Sequence, residues 1–275
     1  MEFYPAKIFY PAIIIWCGVA AMAQCPPPSP PPGFPSYCAA TVVNSASSLP
    51  GALAPNTMVT VYGQNLSTNT QTLTAADLSA DGTLPTELPG TDTQVLVANM
   101  AATPYYISPT QINFLMPPNY TPGKNLSFSV VTGGRAGPLL SIVLRETAPA
   151  LFLLDAQTVV ATHVDGSVVT TANPARPGGI VILYATGLGP TNPPIVPGRI
   201  PTTAAPLVSA SDFEVLLDGQ AVPPENVPYA GVAPLFAGLY QINLSLPAST
   251  APNPEIRLAC AGQISPAQIY LTVQP

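Results

Sequence analysis

The sequence predicts an all-β protein whose folded part consists of two tandem antiparallel β-sandwiches. Three observations support this fold class: an internal repeat, many short segments in which apolar and polar residues alternate, and 37 prolines among 275 residues. Alternation with a period of two is typical of strands that bury one face. Frequent proline disfavours long helices, and short strands separated by turn residues indicate sandwiches.

The repeat is the most informative of these observations. Gln111-Ile112-Asn113, followed by a proline at 117, recurs as Gln241-Ile242-Asn243, followed by a proline at 247. Two further matches occur upstream in the same order, 55–66 with 177–188 and 95–97 with 215–217. The offsets are 122, 120 and 130 residues, which indicates one module copied once with loop insertions.

The chain begins with a segment that predicts export. Residues 1–23 read as a signal peptide, with a positive charge at Lys7, an apolar run over 8–21 and a cleavage site at Ala21-Met22-Ala23. An uncleaved anchor is the alternative. Residues 24–38 are predicted to be a Pro-rich linker in the polyproline II conformation, more plausible as a tether than as a ligand for a partner.

The rest of the chain divides at Thr147-Ala148-Pro149-Ala150 into modules at 39–147 and 150–275. Only residues 74–78 indicate a helical turn. The predicted strands are 57–62, 93–97, 126–131, 139–144, 168–171, 180–185, 214–217, 240–246 and 269–273.

The low charge content limits the possible functions. Only 7% of the residues are charged and the net charge is −6, which argues against nucleic acid as a partner. An uncharged but hydrated surface is more common on exported proteins. We therefore expect a secreted protein, extracellular or in the cell envelope, with no transmembrane span in the mature chain and an unknown protein or glycan partner at the cell surface.

Removal of Cys17 with the signal peptide leaves three cysteines, among which we weigh two disulfide pairings. Cys25 and Cys38 enclose the Pro-rich segment and are the expected pair. Cys38 with Cys260 is the competing pair. The spacing of the cysteines does not indicate a metal site, and no cofactor is expected.

Short motifs follow one another in a fixed order along the chain. They lie at 43–47, 53–55, 61–66, 84–86, 104–113, 148–152, 184–190, 229–231 and 238–247. This ordered series resembles the uncharacterised acidobacterial, Solibacter-type C-terminal β-domain family of secreted proteins, whose halves are similar to the Ig-like folds of the IPT/TIG group. The resemblance covers roughly residues 39–275. It implies Ig-like sandwiches and export, and it carries no known catalytic residue.

The repeated amides Gln111, Asn113, Gln241 and Asn243 have two interpretations. They could form a polar ladder that binds a ligand, or they could clamp equivalent parts of the two modules through hydrogen bonds. Their presence at equivalent positions of both copies favours the structural clamp.

No arrangement of residues predicts a catalytic centre. His163 is the only histidine and lies in an alternating segment beside a turn. The acidic pairs Asp212 with Glu214 and Asp155 with Asp165 lack aromatic neighbours that would form a sugar cleft. Gly187-Leu188-Gly189 precedes prolines rather than a helix, so it indicates a turn and not a phosphate loop. A calcium loop at Asp77 and Asp81 lacks the dense acidic spacing of such loops.

Three tyrosines remain as candidates for ligand contact. Tyr105, Tyr106 and Tyr229 are predicted to lie near corresponding ends of the two modules and to line a groove between them. The sequence thus indicates a non-catalytic binding, adhesion or surface-assembly module. The alternatives are an extracellular polysaccharide-acting enzyme that uses a carboxylate pair and a structural subunit that polymerises by strand addition.

Overall fold

The computed structural model describes residues 31–274, which form two compact units. The N-terminal unit comprises residues 31–146 together with Val196–Ile200, and the C-terminal unit comprises Thr147–Ile195 together with residues 201–274. The predicted signal peptide and residues 24–30 of the predicted linker, including Cys25, lie outside the described residues. No helix within residues 31–274 is long and apolar enough to cross a bilayer.

The N-terminal unit is a sandwich of two antiparallel sheets. One sheet has the order β1-β2-β7-β6-β3, and the other has the order β10-β8-β4-β5 with β9 paired to β8. Short 3-10 turns occur at Ala39–Thr41 and Ala75–Asp77. The strands are β1 Val42–Asn44, β2 Met58–Tyr62, β3 Gln71–Thr72, β4 Thr93–Val97, β5 Met100–Ala101, β6 Thr103–Ile107, β7 Gln111–Leu115, β8 Asn125–Thr132, β9 Arg135–Ala136 and β10 Leu140–Val143.

Aromatic rings join the facing sheets of this unit. Phe114 on β7 stacks against Phe128 on β8, with ring centroids 5.8 Å apart, and both side chains are fully buried. Alternate residues of β4, such as Val95 and Val97, point into the same core. The apolar alternation in the sequence therefore corresponds to the inner faces of two packed sheets.

The C-terminal unit also contains two antiparallel sheets. Their orders are β11-β13-β18-β17-β14, with β12 paired to β13, and β16-β15-β19-β20. Short 3-10 turns occur at Ala210–Asp212 and Pro224–Asn226. The strands are β11 Ala150–Leu151, β12 Ala161–Thr162, β13 Ile180–Thr186, β14 Ala205–Pro206, β15 Phe213–Leu217, β16 Gln220–Ala221, β17 Tyr229–Val232, β18 Tyr240–Ser245, β19 Ile256–Cys260 and β20 Gln263–Ile264.

The two units share strand order and register as well as sequence. The central strands β2-β7-β6 of the N-terminal unit correspond to β13-β18-β17, and β8-β4-β5 correspond to β19-β15-β16. Tyr62 lies opposite Gln111 in one unit, and Tyr184 lies opposite Gln241 in the other. The predicted fold class, two tandem Ig-like antiparallel sandwiches, is confirmed.

Two segments predicted as strands form only isolated bridges. Residues 168–171 pair through Val168 and Thr170 alone, and residues 269–273 pair through Tyr270 and Val273 alone. The helical turn expected at 74–78 is the 3-10 turn Ala75–Asp77.

A short segment from within the sequence of the second repeat belongs to the N-terminal unit. In Val196–Ile200, Arg199 forms an isolated antiparallel bridge with Thr83 and an ion pair with Asp81. The Leu84 amide donates to the Gly198 carbonyl at 2.8 Å. Residues 79–84 therefore pair with a segment that is distant in sequence.

Candidate functional site

The repeated amides form the same side-chain hydrogen bond in both units. The Gln111 amide nitrogen donates to the Asn113 oxygen at 2.9 Å, and the Gln241 amide nitrogen donates to the Asn243 oxygen at 2.8 Å. Side chains two residues apart on a strand share one face of the sheet, which makes this contact possible. Asn113, Gln241 and Asn243 are buried, and Gln111 is half-buried.

In the N-terminal unit this amide pair continues into a buried chain of hydroxyl groups. The Thr60 hydroxyl donates to the same Asn113 oxygen at 3.0 Å, and the Ser45 and Thr60 hydroxyls are 2.9 Å apart. In the C-terminal unit the register partner of Asn243 on β13 is Ile182, so this extension is specific to the first copy. Because the amide pairs of both units lie inside the fold, a large ligand cannot reach them.

Two of the three candidate tyrosines lie in the cores of their own units. Tyr105 and Tyr229 are each 2% exposed, and the Tyr229 hydroxyl donates to the Val232 carbonyl at 2.6 Å. Burial raises the pKa of Tyr229 to about 12. Neither ring has an exposed face on which a ligand could stack, whereas the Tyr106 side chain is half-buried.

The single histidine belongs to a hairpin. The His163 amide donates to the Ser167 carbonyl, and its Nε2 atom lies 3.2 Å from the Asn173 carbonyl oxygen. Asp165 accepts hydrogen bonds from the Ser167 hydroxyl and amide at 2.7 and 2.9 Å, and these bonds hold the Asp165 pKa below its usual value. These groups stabilise an Asp-Gly turn.

The other carboxylates proposed for catalysis are exposed or fix turns. Asp155 accepts from the amides of Gln157 and Thr158, which holds its pKa below the usual value. Asp212 and Glu214 are exposed. Within residues 31–274, no group of three or more His, Cys, Asp or Glu side chains is arranged to hold a metal ion.

The described cysteines have different states. Cys38 is disulfide-bonded, whereas Cys260 is a buried free thiol whose Sγ lies 3.3 Å from the Leu188 carbonyl oxygen. The competing Cys38–Cys260 pairing is therefore not formed. The expected pairing with Cys25 stays a prediction. Burial raises the pKa of the Cys260 thiol to about 11, so the thiol is protonated and inert at neutral pH.

The C-terminal unit has an uncharged loop end, which we define as the segments 187–195, 201–209 (with the short strand β14) and 233–239. Hydrogen bonds hold the three segments together. The Leu235 amide donates to the Pro201 carbonyl at 2.7 Å, and the Val208 amide donates to the Pro190 carbonyl at 3.0 Å. The loop end contains six prolines and no charged residue, so it presents a stiff apolar and neutral surface.

Leu235 lies at the tip of the loop end in an unusual backbone conformation. Its φ is +70° and its side chain is 59% exposed. A left-handed conformation costs a non-glycine residue about 1–2 kcal/mol. Val208 in a neighbouring loop is 61% exposed. A strained, exposed apolar residue in a rigid loop is a reason to look for a function at that position.

Loop 233–239 is an insertion relative to the first copy. In the N-terminal unit β6 is joined to β7 through only Ser108, Pro109 and Thr110, whereas β17 is joined to β18 through seven residues, 233–239. The repeat offset rises from 120 to 130 between β15 and β18, and the four extra residues of this loop account for part of that rise. The offset alone did not identify the loop.

Comparison with known proteins finds a match to one family model and to several solved structures. Residues 41–143 match the family model of the IPT/TIG domain. The chain is also similar in structure to a surface glycan-binding protein from Prevotella bryantii, at 11% identity and a TM-score of 0.28 over 86% of this chain and 42% of that chain.

A second similar structure is a surface glycan-binding protein of Bacteroides ovatus in complex with a mixed-linkage heptasaccharide. It is 11% identical with a TM-score of 0.32, over 81% of this chain and 43% of that chain. The chain therefore spans less than half of these two proteins. Domains 5–6 of the S-layer protein SbsC are 8% identical with a TM-score of 0.26, over 80% of this chain and 91% of that structure. The comparison with curated protein sequences finds no match.

Proposed function

We propose that this protein is an exported, non-catalytic binding module that acts at the cell surface or outside the cell. The observation that carries the proposal is the loop end of the C-terminal unit, where Leu235 and Val208 expose apolar side chains on proline-rich loops. Rigid loops lose little conformational entropy when they bind, so an exposed apolar tip on them favours association.

Three polar groups of the C-terminal unit support a binding role over a catalytic one. Asp155 and Asp165 accept hydrogen bonds from their own turns, and the His163 ring lies beside a backbone carbonyl. Catalysis needs a base or nucleophile that is poised over a cleft. The positions of these three side chains are accounted for by the turns that they stabilise.

The chemistry of the loop end favours a protein partner over a glycan. Sugar rings usually stack on exposed aromatic side chains, and the sequence has one tryptophan, Trp16, which lies in the predicted signal peptide. The loop end instead presents aliphatic side chains and proline. A glycan partner is the second possibility. Its first test is whether the glycan contacts the half-buried Tyr106.

Export and an accessory role at the surface are also proposals. The low charge content and the predicted signal peptide support export. Membership of the Solibacter-type secreted β-domain family stays a prediction, and so does the accessory role that this family would imply.

The test is the retention of purified full-length protein on envelope material from the source cells. The double variant Leu235→Asn/Val208→Asn removes the two exposed apolar side chains, and asparagine tolerates the left-handed conformation at 235. We expect retention to fall at least tenfold. The matched control is Val164→Asn, because Val164 is 40% exposed in the same unit and lies outside the loop end. Equal retention of the double variant and the parent would refute a role for the loop end.

A subunit that assembles by strand addition is a second candidate. Edge strands β10 and β20 carry exposed apolar residues, Val143 at 46% and Ile264 at 54%. Unpaired strand edges can template pairing with another chain. Filaments that form with rising concentration and are prevented by Val143→Lys would support this candidate, and a protein that stays monodisperse at high concentration would argue against it.

A further inference from the structure

The end of the predicted linker forms part of the N-terminal unit. Residues 35–37, which we call the arm, lie between the two sheets of the sandwich. Ser36 pairs with Gln64, and each amide donates to the carbonyl of the other residue at 2.9 Å. Pro35 and Tyr37 are buried. The arm therefore occupies a groove, with Gln64 on one side and the region after β9 on the other.

Two glycines create the space for the arm. A Cβ atom on Gly63 would lie 2.3 Å from the Ser36 carbonyl oxygen, and a Cβ atom on Gly137 would lie 2.6 Å from the Tyr37 ring and 3.0 Å from Pro35. Neither glycine has a φ in the left-handed region, so the backbone conformation does not require glycine at these positions. Glycine is required because any side chain there would collide with the arm. The groove is thus shaped closely to a chain segment.

Tyr37 anchors the arm through its ring and its hydroxyl group. The ring contacts Phe128 edge-on, with centroids 5.7 Å apart. The hydroxyl accepts from the Val130 amide at 2.7 Å and donates to the Pro138 carbonyl at 2.7 Å. These partners are 93 and 101 residues away in sequence, so the arm is held by groups of the sandwich and not by its own neighbours.

We propose that this groove is a peptide-binding site for a Pro-Ser-Tyr segment, filled by the chain's own arm in an isolated molecule and by the arm of a second copy where copies are crowded. The arm is joined to β1 only through Cys38 and the 3-10 turn Ala39–Thr41. An arm from a second copy makes the same contacts as the chain's own arm, so exchange between identical chains changes little contact energy.

Concentration decides which arm occupies the groove. A covalently attached arm has a high effective concentration, so dilute protein keeps its own arm. Copies held close together at a surface compete with it. The groove thereby provides a means of linking copies, which is independent of the loop end of the C-terminal unit and of the function proposed for that loop end.

The test combines two variants of the full chain that each add one cysteine, Ser36→Cys and Gln64→Cys. The two residues form a doubly hydrogen-bonded antiparallel pair, for which the Cα separation is about 5.5 Å and suits a disulfide. In a mixture of the single variants, a disulfide between positions 36 and 64 joins two different chains. The double variant Ser36→Cys/Gln64→Cys can close within one chain and shows whether the pair is competent to form the bond.

We expect the double variant to close within the monomer and the mixture to yield a 36–64 crosslinked heterodimer, identified by peptide mapping, whose fraction rises with protein concentration. Adding Tyr37→Ala to the Ser36→Cys chain should remove most of this heterodimer. Closure of the double variant without any heterodimer, even after joint refolding at high concentration, would overturn arm exchange. Failure of the double variant to close would overturn the assignment of the groove itself.

Discussion

Removal of one oxygen atom in Tyr37→Phe should weaken the N-terminal unit alone. The hydroxyl satisfies the Val130 amide, and Val130 is fully buried. A buried donor without a partner costs about 1–3 kcal/mol. The Pro138 carbonyl is only half-buried and can bind water instead, so we expect a total loss of about 2 kcal/mol, which corresponds to roughly a 30-fold larger opening constant.

Hydrogen exchange followed by mass spectrometry is the appropriate assay because it reports on each unit separately. Protection in peptides that contain β4 and β8 should fall about 30-fold in Tyr37→Phe, whereas peptides from the C-terminal unit should be unchanged. Tyr120→Phe is the matched control. Its hydroxyl donates to the Val97 carbonyl at 2.6 Å in the same unit, but it is partly exposed, so water can replace it. Equal protection in Tyr37→Phe, Tyr120→Phe and the parent would refute this account of the arm.

Three further predictions concern stability. Asn113→Ala and Asn243→Ala should each lower the free energy of unfolding of their own unit by about 1–3 kcal/mol in urea titrations, because each removes the acceptor of a buried donor, the Thr60 hydroxyl in one unit and the Gln241 amide in the other. Parental stability in both variants would contradict the clamp. Leu235→Gly should raise stability by up to about 1 kcal/mol in thermal melts by relieving the left-handed strain, and a clear loss would contradict that strain. Burial raises the pKa of Tyr37 from 10.0 to about 12, so the folded chain holds this proton longer than the unfolded chain. Stability should therefore be full below about pH 10 and decline towards pH 12, with a shallower decline in Tyr37→Phe.

The repeat made the fold predictable from sequence, because apolar alternation in each copy predicts the inner faces of the sheets. The predicted segment 93–97 is strand β4, and 180–185 differs from β13 by one residue. Strand β6 was missed because it contains Pro104, which cannot donate to a neighbouring strand. The structure accommodates this proline at a register shift between Pro104 and Tyr106.

The candidate surfaces were less predictable than the fold. The amide pairs were found because identical residues recur at equivalent positions, but the hydroxyl chain through Ser45 and Thr60 depends on pairing between distant strands. Residues 24–38 are predicted to be a linker from their composition alone. The groove around the arm depends on Gly63 and Gly137, which are close to the arm only in the folded unit.

The central claim is that the protein binds a partner and does not transform it, and both properties can be measured in one incubation. Purified full-length protein is mixed with envelope polysaccharide, peptide and ester substrates and with native envelope material. The bound fraction is quantified, and the supernatant is analysed by mass spectrometry. We expect retention on envelope material that depends on Leu235, together with recovery of every substrate unchanged. Product that forms with the parent and is lost in a folded Asp212→Asn/Glu214→Gln variant would contradict the claim and identify an enzyme.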